Sequence, residues 1–198
     1  MIRTDQPAPE PILLIVGDAI HNLRSALDFA ISDIEFLTTG VRDPHTSFPI
    51  RDTKDQLVAA VCGGLKKKIP KAVTDHIVNV VQPYRGGNGS SIWSLHALDI
   101  EDKHRLLITK KEWSWIRNIH CKDGRGECFT IPEWATIDPH TFTHICTGHQ
   151  NVQVVDEGKA TFSMVFGDDM PFYGKHILPT LRNLSHFVSH TLDSIEHI

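Results

Sequence analysis

The chain has 198 residues, which is enough for a domain with a sizeable hydrophobic core. Its hydrophobic fraction of 40% and charged fraction of 22% are typical of a globular protein and exclude a fibrous or low-complexity chain. The formal net charge of -4 does not support nucleic acid as a partner, although a local basic site is compatible with it. No apolar run has the length of a membrane span or of a signal-peptide core, so we expect no membrane partner, a cytoplasmic location and reduced thiols at the four cysteines.

The first half of the chain predicts four helices. Residues 11–37 carry apolar side chains at spacings of three and four, which is typical of a helix with one buried face: Leu13, Val16, Ile20, Leu23, Leu27, Ile31 and Ile34. Gly40 lies just past the predicted end of this helix. Residues 54–62 and 71–81 predict two shorter helices. A fourth helix is expected from Ser90 or Ser91, either of which can cap it, to about Lys110.

The pattern changes to β-rich segments between residues 112 and 167. Asp123-Gly124 predicts one hairpin, and residues 151–155 and 160–166 predict a second. A last helix is expected over residues 173–196, with a bend near Pro179. The prediction is therefore an α+β fold, in which a bundle of four to five helices carries a small antiparallel sheet inserted before the C-terminal helix. We expect one domain over residues 1–198, with a helical part (11–110), a β-rich part (111–170) and a C-terminal helix (171–198) that packs back on the bundle.

Charged side chains interrupt the apolar face of the fourth helix, in the segment LHALDIEDKHRLLI. Asp99, Asp102 and Arg105 fall on the same side of this helix as its leucines. The first helix has a matching polar strip in GDAIHNLRSALD, formed by Gly17, His21, Arg24 and Asp28. Because isolated buried charges cost several kcal/mol, we expect Arg24 to contact Asp99 or Asp102, and Asp28 to reach Arg105.

Two interpretations of this cluster stay open. It is either a structural ion-pair network that fixes two helices in register, or a polar pocket in which histidines transfer protons. Two salt bridges need only four groups, and the two helices supply more than that, which keeps the pocket open as an interpretation beside the structural one. The candidate catalytic residues are His21, Arg24, Asp28, Asp99, Asp102, Lys103, His104 and Arg105. Of the two candidate histidines in this set, His21 lies beside the acidic and basic strip, whereas His104 faces the apolar side of its helix.

The segments GDAIHNLRSALD, FPI at 48–50, QPY at 82–84 and LHALDIEDKHR together resemble a widespread but uncharacterised bacterial protein family. The resemblance covers about the first 110 residues well, and it implies no particular activity. The polar helical bundle also resembles, faintly, the HEPN superfamily, many of whose members are metal-independent ribonucleases with an arginine, four to six residues and a histidine. The nearest segment here, Arg182 to His186, has only three intervening residues.

A second candidate site contains sulfur ligands. Cys121 and Cys128 flank a predicted hairpin and are expected opposite each other, and Cys146 and His149 form a C-x2-H pair. Together they could bind zinc tetrahedrally, although ordinary thiols are the more frequent case for such spacing. The glycine-rich segment RGGNGSS (85–91) is expected to be a flexible connector, with anion binding as the alternative.

Three functions follow from these patterns. The first is a hydrolase or nuclease acting on an anionic, phosphate-containing substrate, held by Arg24, Lys103 and Arg105. In a metal-dependent form, a divalent cation would be bound by His21, Asp28, Asp99, Asp102 and His104. The second is a regulatory module that binds a small anionic ligand without chemistry. The third is a structural domain with a satisfied ion-pair core. A homo-oligomer is compatible with each.

Overall fold

The computed structural model describes residues 10–104, 109–134, 151–156, 159–168 and 170–198. Its elements are five α-helices and four β-strands, and the small antiparallel sheet precedes the C-terminal helix, which confirms the α+β prediction. The chain divides into two compact units, a helical unit over residues 9–108 and 166–198 and a β-rich unit that includes residues 109–165. The organisation of these units as a single domain stays a prediction.

Helix α1 (Glu10–Thr39) is the long first helix that the apolar spacing predicts. Its buried apolar residues are members of that stripe: Val16, Ile20, Leu27 and Ile31. Gly40 has φ of +74° and donates its N–H to the Phe36 carbonyl over 2.8 Å, so a left-handed glycine ends the helix as expected.

Two shorter helices follow, as predicted. Helix α2 (Lys54–Gly63) is capped by Thr53, whose hydroxyl accepts a hydrogen bond from the Gln56 N–H. A single 3₁₀ turn, Leu65–Lys67, leads to α3 (Lys71–His76), which continues into a π-helical turn, Ile77–Val81.

Helix α4 (Ser90–His104) is shorter than predicted, because Thr109 already belongs to strand β1 (Thr109–Lys122). The expected end near Lys110 is therefore wrong. A strand that pairs with other strands of a sheet gains more from those partners than from continuing a helix, so tertiary pairing overrides the helical pattern here.

Helix α5 (Ile177–Glu196) contacts both α1 and α4, and the three helices form the core of the helical unit. It begins later than the predicted Tyr173, and Pro179 is its third residue. A proline in the first turn removes no helical hydrogen bond, so it starts the helix instead of bending it. Its buried stripe is Ile177, Thr180, Leu184, Val188, Thr191 and Ile195.

In the β-rich unit, β1 pairs antiparallel with β2 (Cys128–Trp134) and with β3 (Gln153–Asp156), and β4 (Lys159–Phe166) also pairs with β1. The predicted first hairpin is confirmed. Its turn is set by Asp123, whose Oδ1 accepts hydrogen bonds from the N–H groups of Arg125 (2.8 Å) and Glu127 (2.9 Å). Within the described ranges, no helix combines the length and hydropathy that crossing a membrane requires.

Candidate functional site between helices α1 and α4

The predicted cluster of charged side chains forms between α1 and α4, which are in contact within the helical unit. Arg24 of α1 and Asp99 of α4 are both buried, with exposed fractions of 6% and 3%. Burial this deep requires partners for each charge. The partners divide the cluster into two parts.

In the first part, Arg24 and Asp28 of α1 bind the main chain of Phe48, in the loop that carries the FPI segment. The Arg24 Nη2 donates to the Phe48 carbonyl over 3.4 Å, and the Asp28 Oδ1 accepts from the Phe48 N–H over 2.8 Å. The Arg24 Nη1 lies 2.5 Å from the Asp28 Oδ1, a close ion pair whose direction is not that of a hydrogen bond. Both polar main-chain groups of one loop residue are thus bound by one ion pair. We refer to Arg24, Asp28 and the Phe48 main chain as the loop anchor.

His96 of α4 extends the loop anchor. Its Nδ1 accepts a hydrogen bond from the Arg24 Nε over 3.3 Å, which assigns the ring proton of the neutral form to Nε2. Burial, followed by the positive charge of Arg24, lowers the pKa of His96, and both effects oppose the smaller contributions of Asp99 and Asp28. His96 is therefore a neutral acceptor, suited to a structural contact with the guanidinium.

In the second part, His21 of α1 pairs with Asp99 of α4. The His21 Nδ1 lies 2.9 Å from the Asp99 Oδ1, and the two side chains are 53% and 5% exposed. The Asp99 carboxylate at Nδ1 holds the ring proton on that nitrogen, so the lone pair of Nε2 is directed away from Asp99. The Ser25 Oγ lies 3.4 Å from the His21 Nε2. The half-exposed imidazole is thus oriented by a buried carboxylate.

Gly17 and Asp102 show a third close approach of the two helices. A Cβ atom at Gly17 would lie only 2.5 Å and 2.7 Å from the two carboxylate oxygens of Asp102. The absence of a side chain at Gly17 therefore makes room for Asp102. The approaching group is an acidic side chain of α4.

The pairing predicted from the sequence differs from the pairing observed. Arg24 was expected to contact Asp99 or Asp102, but its carboxylate partner is Asp28, one turn away on the same helix, and Asp99 pairs with His21. The i,i+4 spacing of Arg24 and Asp28 puts them on one face of α1, so they are within reach of each other without any contact between helices. Asp28 was expected to reach Arg105, which lies outside the described residues, so that expectation stays a prediction; the Asp28 Oδ1 is bound by Arg24 and the Phe48 N–H.

Three of the candidate catalytic residues cannot be placed in this cluster. Arg105 lies outside the described residues, and although Lys103 and His104 belong to the last turn of α4, the positions of their side chains are likewise outside the described part. The expectation that His104 faces the apolar side of its helix stays a prediction. The sequence also missed one functional element, the Phe48 main chain, for which the FPI segment was the available signal.

The candidate sulfur site is only partly described. Lys122, not Cys121, is opposite Cys128, because the Asp123-based turn contains five residues and shifts the register by one. Residues opposite each other on paired strands share a face of the sheet, and consecutive residues of one strand alternate between faces. Cys121 is opposite Phe129, the neighbour of Cys128, so the two cysteines lie on opposite faces of the sheet. Cys121 is buried and Cys128 is exposed. The expectation that they face each other is wrong. Cys146 and His149 lie outside the described residues, and no group of three or more metal-binding side chains is found within them.

RGGNGSS, expected to be a flexible connector, is packed closely against the preceding QPY segment. The Gly89 N–H and the Asn88 side chain donate to the carbonyls of Gln82 and Val80, over 3.2 Å and 3.1 Å. A Cβ atom at Gly87 or Gly89 would collide with main-chain oxygens at 2.4 Å and 2.6 Å. Gly87 and Gly89 therefore serve close main-chain packing at the start of α4.

Comparisons of the chain with protein-family models, with curated proteins and with solved structures found no match.

Proposed function

We propose that the protein is a hydrolase that acts on an anionic, phosphate-containing substrate and uses His21 as its general base and acid. The observation that carries the proposal is the geometry of His21, whose imidazole is half exposed while its Nδ1 is held 2.9 Å from the buried Asp99 carboxylate. A histidine that serves only packing has no need of an exposed second nitrogen. A general base needs both the orientation and the exposure.

The chemistry follows from the assignment of the ring protons. With Nδ1–H donating to Asp99, Nε2 accepts a proton from an attacking water molecule, and the Asp99 carboxylate stabilises the imidazolium that results. The same Nε2–H then donates to the leaving group. Ser25 lies within reach of Nε2, but the main-chain N–H groups around it are used within α1 and offer no stabilisation to an oxyanion. Water is accordingly the proposed nucleophile.

Binding of the anionic part of the substrate is assigned to Lys103 and Arg105, which lie four and six residues after Asp99 in the sequence. Arg24 does not take this role, because the residue is only 6% exposed and its guanidinium binds Asp28, His96 and the Phe48 carbonyl. The assignment to phosphate rests on the positive charge of these two residues.

The loop anchor supports a second candidate function, a structural domain with an ion-pair core. Arg24 binds Asp28, His96 and the Phe48 carbonyl, and Asp28 accepts from the Phe48 N–H, as a structural network requires. If the His21–Asp99 pair is only an extension of that network, the protein is a binding or structural module without chemistry. The two functions make opposite predictions for His21.

The test measures hydrolysis of 4-nitrophenyl phosphate, bis(4-nitrophenyl) phosphate and a short RNA by the purified full-length chain. We expect His21→Ala to lower the rate by about 100-fold or more, as expected for loss of a general base, and Asp99→Asn to lower it as well. His190→Ala, at an exposed position of α5, is the matched control and should keep the full rate. Thermal melts of the same variants complete the test. A wild-type chain without activity, together with a strongly destabilised His21→Ala variant, would establish the structural function instead.

A further inference from the structure

A cavity of about 170 Å³ lies beside the loop anchor, in the same helical unit. One wall is the loop segment 45–51, and the other is formed by α2 and the turn that follows it. Its lining consists of His45, Thr46, Ser47, Pro49, Arg51, Ala60, Gly64, Leu65 and Lys68. We refer to it as the loop cavity. It is separate from the His21–Asp99 pair, and none of the side chains assigned to hydrolysis lines it.

The charged side chains that line the loop cavity are all basic. Among the described residues that line the cavity, none is acidic, whereas Arg51, Lys68 and His45 carry or can carry positive charge, and Thr46 and Ser47 offer hydroxyl groups. A lining that offers one histidine and no carboxylate or thiolate of its own is a poor metal site. The volume is also below that of pockets for drug-sized ligands, roughly 300–1,000 Å³, so the occupant must be small.

The cationic wall is fixed by a second ion-pair cluster. The Lys68 Nζ donates to Asp43 Oδ2 over 2.5 Å and to Thr46 Oγ1 over 2.9 Å, and it lies 3.4 Å from Oε1 of the buried Glu35. The hydrogen bond with Asp43 raises the pKa of Lys68. Burial alone would raise the pKa of Glu35, but its hydrogen bonds with Thr46, the Asp43 main chain and Lys68 hold it below its usual range. Lys68 is thus charged and immobile, and its ammonium protons are directed to these partners.

Arg51 is the group that remains available to a ligand. Its Nη1 donates to the Ile50 carbonyl over 2.7 Å, and this is the side-chain bond found for it within the described part, so the other guanidinium N–H groups can face the cavity. Its main chain is held by a hydrogen bond from its N–H to the Pro83 carbonyl over 3.2 Å. A planar guanidinium with several free donors matches an oxyanion better than any other side chain does.

The loop that carries these groups is anchored on both sides. Lys68 holds it at Asp43 and Thr46, and the loop anchor holds it at Phe48, between the lining residues Ser47 and Pro49. A site whose donors are fixed before binding loses little conformational freedom when the ligand arrives. This gives the Arg24–Asp28 pair a task beyond packing, since it positions the wall that carries Arg51.

From this arrangement we propose that the loop cavity is a binding site for a small oxyanion, of the phosphate or carboxylate class, with the Arg51 guanidinium as its principal contact. The Ser47 hydroxyl group and the His45 ring complete the donor set, whereas the Thr46 hydroxyl is engaged with Lys68 and Glu35. The proposal does not depend on the hydrolase proposal, because it uses a different set of side chains.

Isothermal titration of the full-length chain with inorganic phosphate, and separately with acetate, at constant ionic strength set with sodium chloride, tests the site. We expect saturable binding of at least one of the two anions, and the stronger one identifies the ligand class. Arg51→Gln should weaken that binding at least ten-fold. Arg182→Gln makes the same change of charge at an exposed position of α5 that does not line the cavity, and it should leave the affinity unchanged.

A second variant tests the location without changing any charge. Ala60→Leu, in the interior of α2, adds apolar volume at the cavity lining and should abolish binding while the chain stays folded by circular dichroism. Three results would overturn the proposal: no saturable binding of either anion, an equal loss in the two arginine variants, or full binding by a folded Ala60→Leu variant.

Discussion

Replacing Arg24 by methionine removes the charge of the loop anchor and keeps most of the side-chain volume. Three contacts are lost together, those with Asp28, with the His96 ring and with the Phe48 carbonyl. A buried carbonyl that loses its donor costs about 1–3 kcal/mol. The Asp28 side chain is 35% exposed, so its ion pair with Arg24 adds only about 0–1 kcal/mol after solvent screening.

We therefore expect Arg24→Met to lower the free energy of unfolding by about 1–4 kcal/mol. This is less than the roughly 3–5 kcal/mol expected when a fully buried acid loses its partner, because water can still reach Asp28. Urea unfolding at pH 7, followed by circular dichroism, measures the change. The matched control is Arg182→Met at an exposed position of α5, which should change stability by less than about 0.5 kcal/mol. A loss below about 0.5 kcal/mol for Arg24→Met would refute the argument that the loop anchor is buried and engaged.

Three further predictions concern single positions. Gly17→Ala should destabilise by about 1–3 kcal/mol in urea unfolding because its Cβ would collide with Asp102, whereas Gly63→Ala, with open space around it, should be neutral or stabilising. The pKa of His96 is lowered in the folded state, so the unfolded chain binds a proton more readily than the folded chain does. The free energy of unfolding should therefore fall as the pH drops through 6.5, the ordinary pKa of histidine. Thermal melts between pH 5 and 8 measure this dependence, and His96→Gln should make it weaker. The buried thiol of Cys121 should react with Ellman's reagent only on unfolding, and fast native-state labelling of this residue, located by mass spectrometry, would contradict the sheet register.

Periodicity in the sequence predicted the helices well because burial repeats along a helix with a fixed period. The stripe of α1 and the glycine that ends it lie where expected. The boundary at the end of α4 was wrong, since sheet pairing is a long-range interaction that leaves no local period to read. The hairpin was found from Asp123-Gly124, but its register depends on which main-chain groups the Asp123 carboxylate accepts, and spacing alone does not give that.

The sequence predicted where the charged cluster lies, but not which side chains pair within it. Helical geometry brings Arg24 and Asp99 to facing sides of two helices, and both are buried there. Which acid pairs with which base depends on side-chain rotamers and on a third participant, the main chain of Phe48, that no helical wheel contains. The excess of charged groups over simple pairing, which motivated the idea of a pocket, is partly explained by this loop.

The two parts of the cluster lead to one further prediction, because they are assigned different tasks. Arg24→Met should weaken phosphate binding at the loop cavity, since it releases the segment between Ser47 and Pro49, whereas His21→Ala should leave that binding unchanged. Titration of both variants with phosphate under the conditions used for the wild-type chain measures the difference, and binding is compared only after circular dichroism has shown that each variant is folded. Equal effects of the two substitutions would mean that α1 and α4 hold a single coupled network, in which case the His21–Asp99 pair has no task separate from that of the loop anchor.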